Sequence, residues 1–155
     1  MNPKGINYWS YPGGLEGTLP VEDFFSKAKR DGFEAVEVCV GEDGALGLDA
    51  DEATCTRLRG LAEAQGLKVL SVASGTYWGF SLASPSEADR KRAKEALEKM
   101  IAIASWFGAK SLLTIPGAVD VFFLPDRPVQ AYDEVLAYAQ QGLAALDPFA
   151  RAQGR

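Results

Sequence analysis

The 155 residues carry a formal net charge of −5, and 47% of them are hydrophobic. A chain of this length makes one domain with a sizeable core, its acidity disfavours extended contact with nucleic acid, and no apolar stretch is long enough to predict a membrane span. The sequence has no histidine, which excludes Ser-His-Asp and Cys-His catalytic sites and every zinc site with a histidine ligand.

The same unit recurs along the chain: an apolar strand-like run, a loop, an amphipathic helix and then a glycine. Glycine is a common helix stop because it adopts left-handed backbone angles at little cost. The glycines in this position are Gly32, Gly66, Gly108 and Gly154. The strand candidates lie at residues 6–9, 35–40, 68–73 and 110–115.

The predicted strands are nearly continuous apolar runs. AVEVCV, KVLSVA and KSLLTI show little alternation of polar and apolar residues. Such runs are typical of parallel strands that are covered on both faces. Because strands and helices alternate, we expect an α/β fold with a parallel sheet and right-handed crossovers.

The first two helices have clear apolar stripes. The first opens at Pro20, where a missing N–H costs nothing, and the second begins near Asp49 or Asp51. The stripe of the first helix consists of Val21, Phe24, Phe25 and Ala28. The stripe of the second consists of Cys55, Leu58, Leu61 and Ala62.

The third helix has the strongest start signal, and the fourth contains an internal proline. Ser84-Pro85-Ser86-Glu87 matches a capping box that starts the third helix. Its stripe is Ala93, Leu97, Met100, Ile101, Ala104 and Phe107. The stripe of the fourth helix is Tyr132, Val135, Leu136, Ala139, Leu143 and Leu146. Pro148 is expected to kink the fourth helix or to split off a last short turn.

Two architectures fit this order of elements. An open doubly-wound sheet would be complete with about four units, whereas a (β/α)8 barrel would be half finished. The first loop lacks the G-x-G-x-x-G pattern that cradles phosphates in many doubly-wound proteins. The longest loops follow the strands, which favours a barrel whose site is built at the carboxyl ends of the strands.

Three stretches resemble a known family. GINYWSYPGG, FEAVEVCVGEDGAL and SVASGTYWGFSLASPSEADRKRAKEALEKMIAIASWFGA are similar to the xylose isomerase-like barrels, which include sugar isomerases, ketose 3-epimerases and sugar phosphate isomerases or epimerases. The resemblance covers essentially all of the chain. It implies one domain over residues 1–155 that is the N-terminal (β/α)4 half of a TIM barrel, with parallel strands and outer helices.

The resemblance also implies where catalysis would occur. Members of the family hold the sugar with a divalent metal, often manganese, cobalt or magnesium, whose carboxylate and histidine ligands lie on strands five to eight. In the epimerases, two of those glutamates move the proton. Because the chain resembles strands one to four only, we assign it no metal ligand and no catalytic residue. We therefore expect a truncated half that is inactive, or nearly so, by itself.

The first four strands of such a barrel would still contribute to a pocket for a small sugar or sugar phosphate. Residues at the strand ends and in the loops that follow them are the candidates, because barrel sites lie at that end. The predicted substrate-binding residues are Tyr8, Trp9, Glu37, Glu42, Ser74, Tyr77, Trp78 and Pro116.

Several of these residues have a structural interpretation as well. Tyr8 and Trp9 could simply pack the top of the barrel. Glu37 interrupts an apolar strand and could pair with a neighbouring lysine or arginine instead of a ligand. Glu42 precedes an Asp-Gly pair that is common in turns, and the aromatic loop GTYWGF could be a lid.

The remaining expectations concern partners and location. A half barrel has two unpaired sheet edges, so we expect a homodimer that forms through these edges and through the apolar loop from Val119 to Leu124. Cys39 and Cys55 do not suggest a disulfide framework, and no secretion signal is evident, so the expected location is the cytoplasm. No contact with nucleic acid or membranes is expected.

Two other functions compete with a sugar isomerase. The chain could be a sugar-binding or assembly module without catalysis. It could also be a DNA-repair protein of the endonuclease IV type, which shares the barrel fold. The lack of histidine and the acidic charge count against the second alternative, because those nucleases bind zinc through histidines and contact DNA.

Overall fold

The computed structural model describes residues 3–154. They form a parallel sheet with the strand order β1-β2-β3-β4. The strands are β1 Gly5–Asn7, β2 Ala35–Cys39, β3 Lys68–Ala73 and β4 Ser111–Leu112, and the helices are α1 Val21–Arg30, α2 Glu52–Ala64, α3 Glu87–Trp106 and α4 Tyr132–Ala152. Because the strand order never reverses, the sheet is not doubly wound. The predicted α/β half barrel is confirmed.

Three of the four strands are shorter than the sequence predicts. The first was expected at 6–9 but ends at Asn7, because the Asn7 side chain accepts a hydrogen bond from the backbone N–H of Trp9 and starts a 3₁₀ turn over Tyr8–Ser10. The fourth was expected at 110–115 but has ladder pairing only at Ser111–Leu112. The third strand has the predicted bounds, and the second is one residue shorter than the expected 35–40.

The helix ends follow capping chemistry. The helix-ending glycines all have positive φ values, from 68° at Gly108 to 84° at Gly32, which confirms the stops. Asp51 caps α2 by accepting the N–H of Thr54 at 2.8 Å. The predicted cap of α3 at Ser84 is wrong: Ser86 caps the helix by accepting the N–H of Asp89, and the Ser84 hydroxyl donates to the Asp89 carboxylate.

Helix α4 continues through Pro148, so no separate last turn forms. Proline removes one helical hydrogen bond, but the residues around it are packed on both sides. Leu146 is buried in a cluster with Leu97 and Ile101 of α3, and Phe149 packs against that cluster. This packing offsets the lost hydrogen bond.

The main core lies between the helices and one face of the sheet. Val36 and Val38 of β2 are buried in the same cluster as Phe24, Phe25 and Met100 from the helices. Because successive side chains of a strand point to opposite faces, Glu37 lies on the face opposite to this core, which is the inner face of the half barrel. The strand register aligns four polar residues there, one from each strand: Asn7, Glu37, Ser71 and Ser111. Within residues 3–154, no helix combines the length and apolar composition needed to cross a bilayer.

Candidate functional site

A cavity of about 370 Å³ opens at the carboxyl ends of β1, β2 and β3. The aromatic residues Tyr8, Trp9 and Trp78 are among those that line it. Thr76 and Asp43 are among the polar residues that line it. This is the end of the strands at which sites of (β/α)8 barrels lie.

The turn after β1 places two of these aromatic residues. The Tyr8 hydroxyl donates to the carbonyl oxygen of Leu19 at 2.6 Å, and its ring meets Phe24 edge to face with centroids 5.4 Å apart. Burial raises the pKa of Tyr8 above its usual value. Trp9 is half-buried, and an added Cβ at Gly75 would lie 3.8 Å from the edge of its ring. Tyr8 is therefore fixed by packing, while Trp9 faces the cavity.

A second 3₁₀ turn, over Thr76–Trp78, follows β3 and presents Trp78. The buried Ser74 hydroxyl donates to the carbonyl oxygen of Val40 at 2.7 Å and lies 2.8 Å from the Thr76 hydroxyl. Ser74 thus fastens the end of β3 to the chain after β2 and does not line the cavity. The ring of Trp78 packs edge to face on Phe123, with centroids 5.2 Å apart.

Tyr77 and Thr114 form a buried pair of hydroxyl groups beside the cavity. Burial raises the pKa of Tyr77 to about 12, and the Thr114 hydroxyl opposes this effect. Neither hydroxyl makes a well-directed hydrogen bond. Tyr77 packs with Phe80 and Leu97 in the cluster that also buries Leu146 of α4, so its ring contributes to the core.

The remaining candidates lie outside the cavity wall. Glu37 accepts a hydrogen bond from the Asn7 amide at 2.5 Å, in a hollow of about 230 Å³ on the inner face of the sheet. Glu42 forms an exposed ion pair with Arg92. The carbonyl oxygen of Pro116 accepts the N–H of Ala83 at 2.9 Å.

The structure therefore gathers Tyr8, Trp9 and Trp78 around one cavity, whereas Glu37, Glu42, Ser74, Tyr77 and Pro116 have other contacts. Asn7 is a residue that the sequence reasoning missed. The sequence could have indicated it, because asparagine is favoured at positions where its side chain caps a following turn.

The described residues do not fit a divalent metal. Within 3–154, no three side chains of histidine, cysteine, aspartate or glutamate lie close enough together to share an ion. Cys39 lines the cavity, but burial raises its pKa to about 12, so its thiol stays protonated at neutral pH. The chemistry that the cavity itself offers is stacking and hydrogen bonding.

The fold matches solved sugar epimerases over half of their length. D-psicose 3-epimerase from Clostridium cellulolyticum H10 is 14% identical with a TM-score of 0.69, covering 99% of this chain and 50% of that one. An L-ribulose 3-epimerase is 21% identical with a TM-score of 0.69, and the match covers 99% of this chain and 48% of that one. D-allulose 3-epimerase from Methylomonas sp. is 16% identical with a TM-score of 0.66, and the match covers 98% of this chain and 48% of that one.

These likenesses establish the fold, and a family comparison establishes the membership. No curated protein matches the chain. The sequence profile described as "Xylose isomerase-like TIM barrel" matches residues 25–154, which is most of the chain. With the singly wound sheet and the cavity at its carboxyl edge, this match means that the chain belongs to the xylose isomerase-like TIM barrel family.

Proposed function

We propose that the chain is the sugar-holding part of a sugar isomerase or epimerase, and that the sugar lies in the cavity between Trp9 and Trp78. One observation carries the proposal: two tryptophans, Trp9 and Trp78, are among the residues that line a cavity of about 370 Å³ at the strand ends. Sugars present C–H faces that pack on aromatic rings, and ligand pockets combine apolar walls with a few polar groups. Thr76 supplies such a polar group.

The similar structures suggest the class of sugar. One contains D-tagatose, one was determined in the presence of D-fructose, and one is a complex with D-allulose. All three are ketoses. We therefore propose a small ketose, or its phosphate, as the ligand of this chain.

In this proposal the chain binds and orients the sugar. Isomerisation and epimerisation of this kind require removal of a proton next to a carbonyl and stabilisation of the resulting oxyanion. The family performs this chemistry with a divalent metal, but the described residues offer no three-ligand site for one. We assign no reaction step to the chain alone.

A binding or assembly module without catalysis remains a second candidate, and the lack of a three-ligand site within residues 3–154 favours it. The two functions differ when the second half of a barrel is added to the chain. A separately produced C-terminal half of a similar epimerase should restore turnover if the chain is part of an enzyme, and should leave only binding if it is a module.

We also propose that two copies associate through the sheet edges. β1 and β4 are the edges of the sheet, and an open edge readily pairs with another strand. Exposed apolar side chains accompany them, including Leu136 and Leu143 on α4 and Phe122 in the loop from Val119 to Leu124. A cytoplasmic location is part of the proposal and is supported by the free thiols of Cys39 and Cys55.

Titration with D-fructose tests the sugar site. Replacing Trp9 with alanine should weaken binding by about tenfold, because the variant loses the stacking surface. Trp106→Phe is the matched control, since Trp106 lies on α3 next to Lys99 and away from the cavity. Isothermal calorimetry measures the affinities, and chromatography of the same samples with Mn²⁺ measures turnover, which we expect to be absent.

The binding proposal fails if Trp9→Ala and the parent bind D-fructose equally well, or if neither binds it. The proposal that the chain binds the sugar without catalysing its conversion fails if the purified chain converts the ketose rapidly in the presence of Mn²⁺.

A further inference from the structure

Asn7 forms hydrogen bonds both to Glu37 on the inner face of the sheet and to Trp9 in the cavity wall. Its amide nitrogen donates to Glu37 Oε1 at 2.5 Å, and its amide oxygen accepts the backbone N–H of Trp9 at 2.6 Å. The same oxygen accepts the S–H of Cys39 at 3.6 Å. A carboxylate only accepts and a backbone N–H only donates, so the neighbours fix the orientation of the amide.

Glu37 depends on this contact in turn. It is the register partner of Asn7 and lies on the inner face of the sheet, beside Ser71. Among the ion pairs formed within residues 3–154, none involves Glu37. A carboxylate that is partly withdrawn from water needs a donor, and hydrogen bonds to charged groups are stronger than neutral ones. The Asn7 amide is the donor that the structure provides.

We propose that Asn7 and Glu37 are a positioning pair that sets the orientation of Trp9 in the cavity, and thereby the affinity for the sugar. The inference rests on the proposed sugar site. Glu37 is not part of the cavity wall, so it acts through Asn7 and the turn over Tyr8–Ser10. Within residues 3–154, Glu37 is the one carboxylate in a β-strand, and this role needs no contact between it and the sugar.

The 3₁₀ turn over Tyr8–Ser10 links the Asn7–Glu37 hydrogen bond to the position of the Trp9 ring. The Trp9 N–H is held by Asn7 at the start of a single 3₁₀ turn, and the ring lies against Gly75. A turn of three residues has few other hydrogen bonds to hold it. Loss of the cap therefore moves the ring relative to the cavity.

Exchanging donor and acceptor between the two residues tests the pair. Asn7→Asp sets two carboxylates against each other, and their repulsion should turn the side chain at position 7 away from Glu37, so that it no longer caps the Trp9 N–H. Adding Glu37→Gln supplies an amide that can donate to the new carboxylate. We expect Asn7→Asp to weaken D-fructose binding by about tenfold, and the double variant to return to within about threefold of the parent. Glu37→Gln alone should also stay within about threefold, since its amide oxygen can accept from Asn7.

A second measurement does not require sugar. In a Trp78→Phe/Trp106→Phe background, Trp9 is the only tryptophan, because the chain has 3. Asn7→Asp should shift its emission to longer wavelength and increase its quenching by acrylamide, and the double variant should reverse both changes. If the parent does not bind D-fructose, the proposed sugar site is wrong, while the emission series still decides whether the pair positions Trp9.

Either of two results would refute the proposed positioning role of Asn7 and Glu37. The first is that Asn7→Asp leaves the emission of Trp9 unchanged, and the second is that the double variant has the same Trp9 emission as Asn7→Asp. Thermal unfolding followed by circular dichroism checks that each variant is folded. If Asn7→Asp does not fold, Glu37→Leu replaces it. That variant leaves the Asn7 amide without its carboxylate, so the same change in Trp9 emission is expected, and an unchanged emission refutes the proposal.

Discussion

Burial controls the chemistry of both cysteines. Cys39 and Cys55 are free and buried, and removal from water raises their pKa values to about 12 and about 11. An unfolded cysteine has a pKa of about 8.5. Because the folded values are higher, the thiols stabilise the fold fully below about pH 8.5, and this contribution is lost as the pH rises through about 11 and 12.

We predict slow reaction of these thiols in the native protein. At pH 7.5 a disulfide reagent such as DTNB should modify the folded chain at least about a hundredfold more slowly than the chain unfolded in guanidinium, because only the thiolate reacts and burial blocks access. Absorbance during modification gives both rates. Rapid modification of either thiol under native conditions would contradict the burial and the raised pKa values.

At the level of single residues, the sequence predicted positions in the fold better than it predicted contacts. It placed Tyr8, Trp9 and Trp78 at the carboxyl ends of the strands, where all three line the cavity, because residues after parallel strands gather at one edge of a sheet. It could not show that Ser74 bonds to the chain after β2 or that Glu42 pairs with Arg92. Those contacts depend on turn geometry and on partners far away in sequence, which hydrophobic periodicity does not encode.

Glycines inside the helices have unequal surroundings. Gly60 is exposed in α2, and an added Cβ there would meet no atom within 4 Å. Gly142 in α4 packs against Leu82, and an added Cβ would lie 2.9 Å from the Leu82 Cβ. Alanine favours the helix over glycine at both positions, but only Gly60 has room for the extra methyl group.

We therefore predict opposite effects of the same substitution. Gly60→Ala should raise the free energy of unfolding by about 0.5–1 kcal/mol. Gly142→Ala should lower it by about 1–3 kcal/mol, because α4 must move away from Leu82. Urea unfolding monitored by circular dichroism measures both. Equal stabilisation by the two variants would show that α4 does not approach Leu82 this closely.

The elements themselves were largely predictable, whereas some of their ends were not. The four helices and their glycine stops follow from apolar periodicity and from the special conformations of glycine. The strand end at Asn7 and the cap at Ser86 were missed, and at Pro148 the alternative of a separate last turn was wrong. In each case competing local preferences exist in the sequence, and a hydrogen bond or packing with another element decides between them.

The molecule as a whole exposes apolar surface along the last helix. Leu136 and Leu143 of α4 are each 41% exposed, and Tyr132 is 66% exposed. The sequence predicted an apolar stripe on α4 but could not show which part of it finds a partner within the chain. The structure buries Val135, Ala139 and Leu146 and leaves the adjoining face uncovered.

We predict a dimer that depends on this face. Sedimentation velocity at about 10 μM should detect dimers of the parent chain, and Leu136→Glu combined with Leu143→Glu should shift it toward monomer, since a buried unpaired carboxylate is costly. Leu61→Glu is the control, because Leu61 is similarly exposed but lies on α2, which packs between α1 and α3 and away from α4. A parent chain that remains monomeric at this concentration, or equal effects of both changes, would contradict dimerisation through α4.

The uninterrupted strand order also bears on how the chain is made. Each new strand pairs with the strand that was synthesised just before it, so the pairing of a strand does not require a strand from a distant part of the sequence. Every strand–helix unit can dock as it emerges, and the hydrophobic side chains of the first units are covered early in synthesis. We therefore expect early docking to cover the helix-facing core, while both borders of the sheet stay open to strands of other chains.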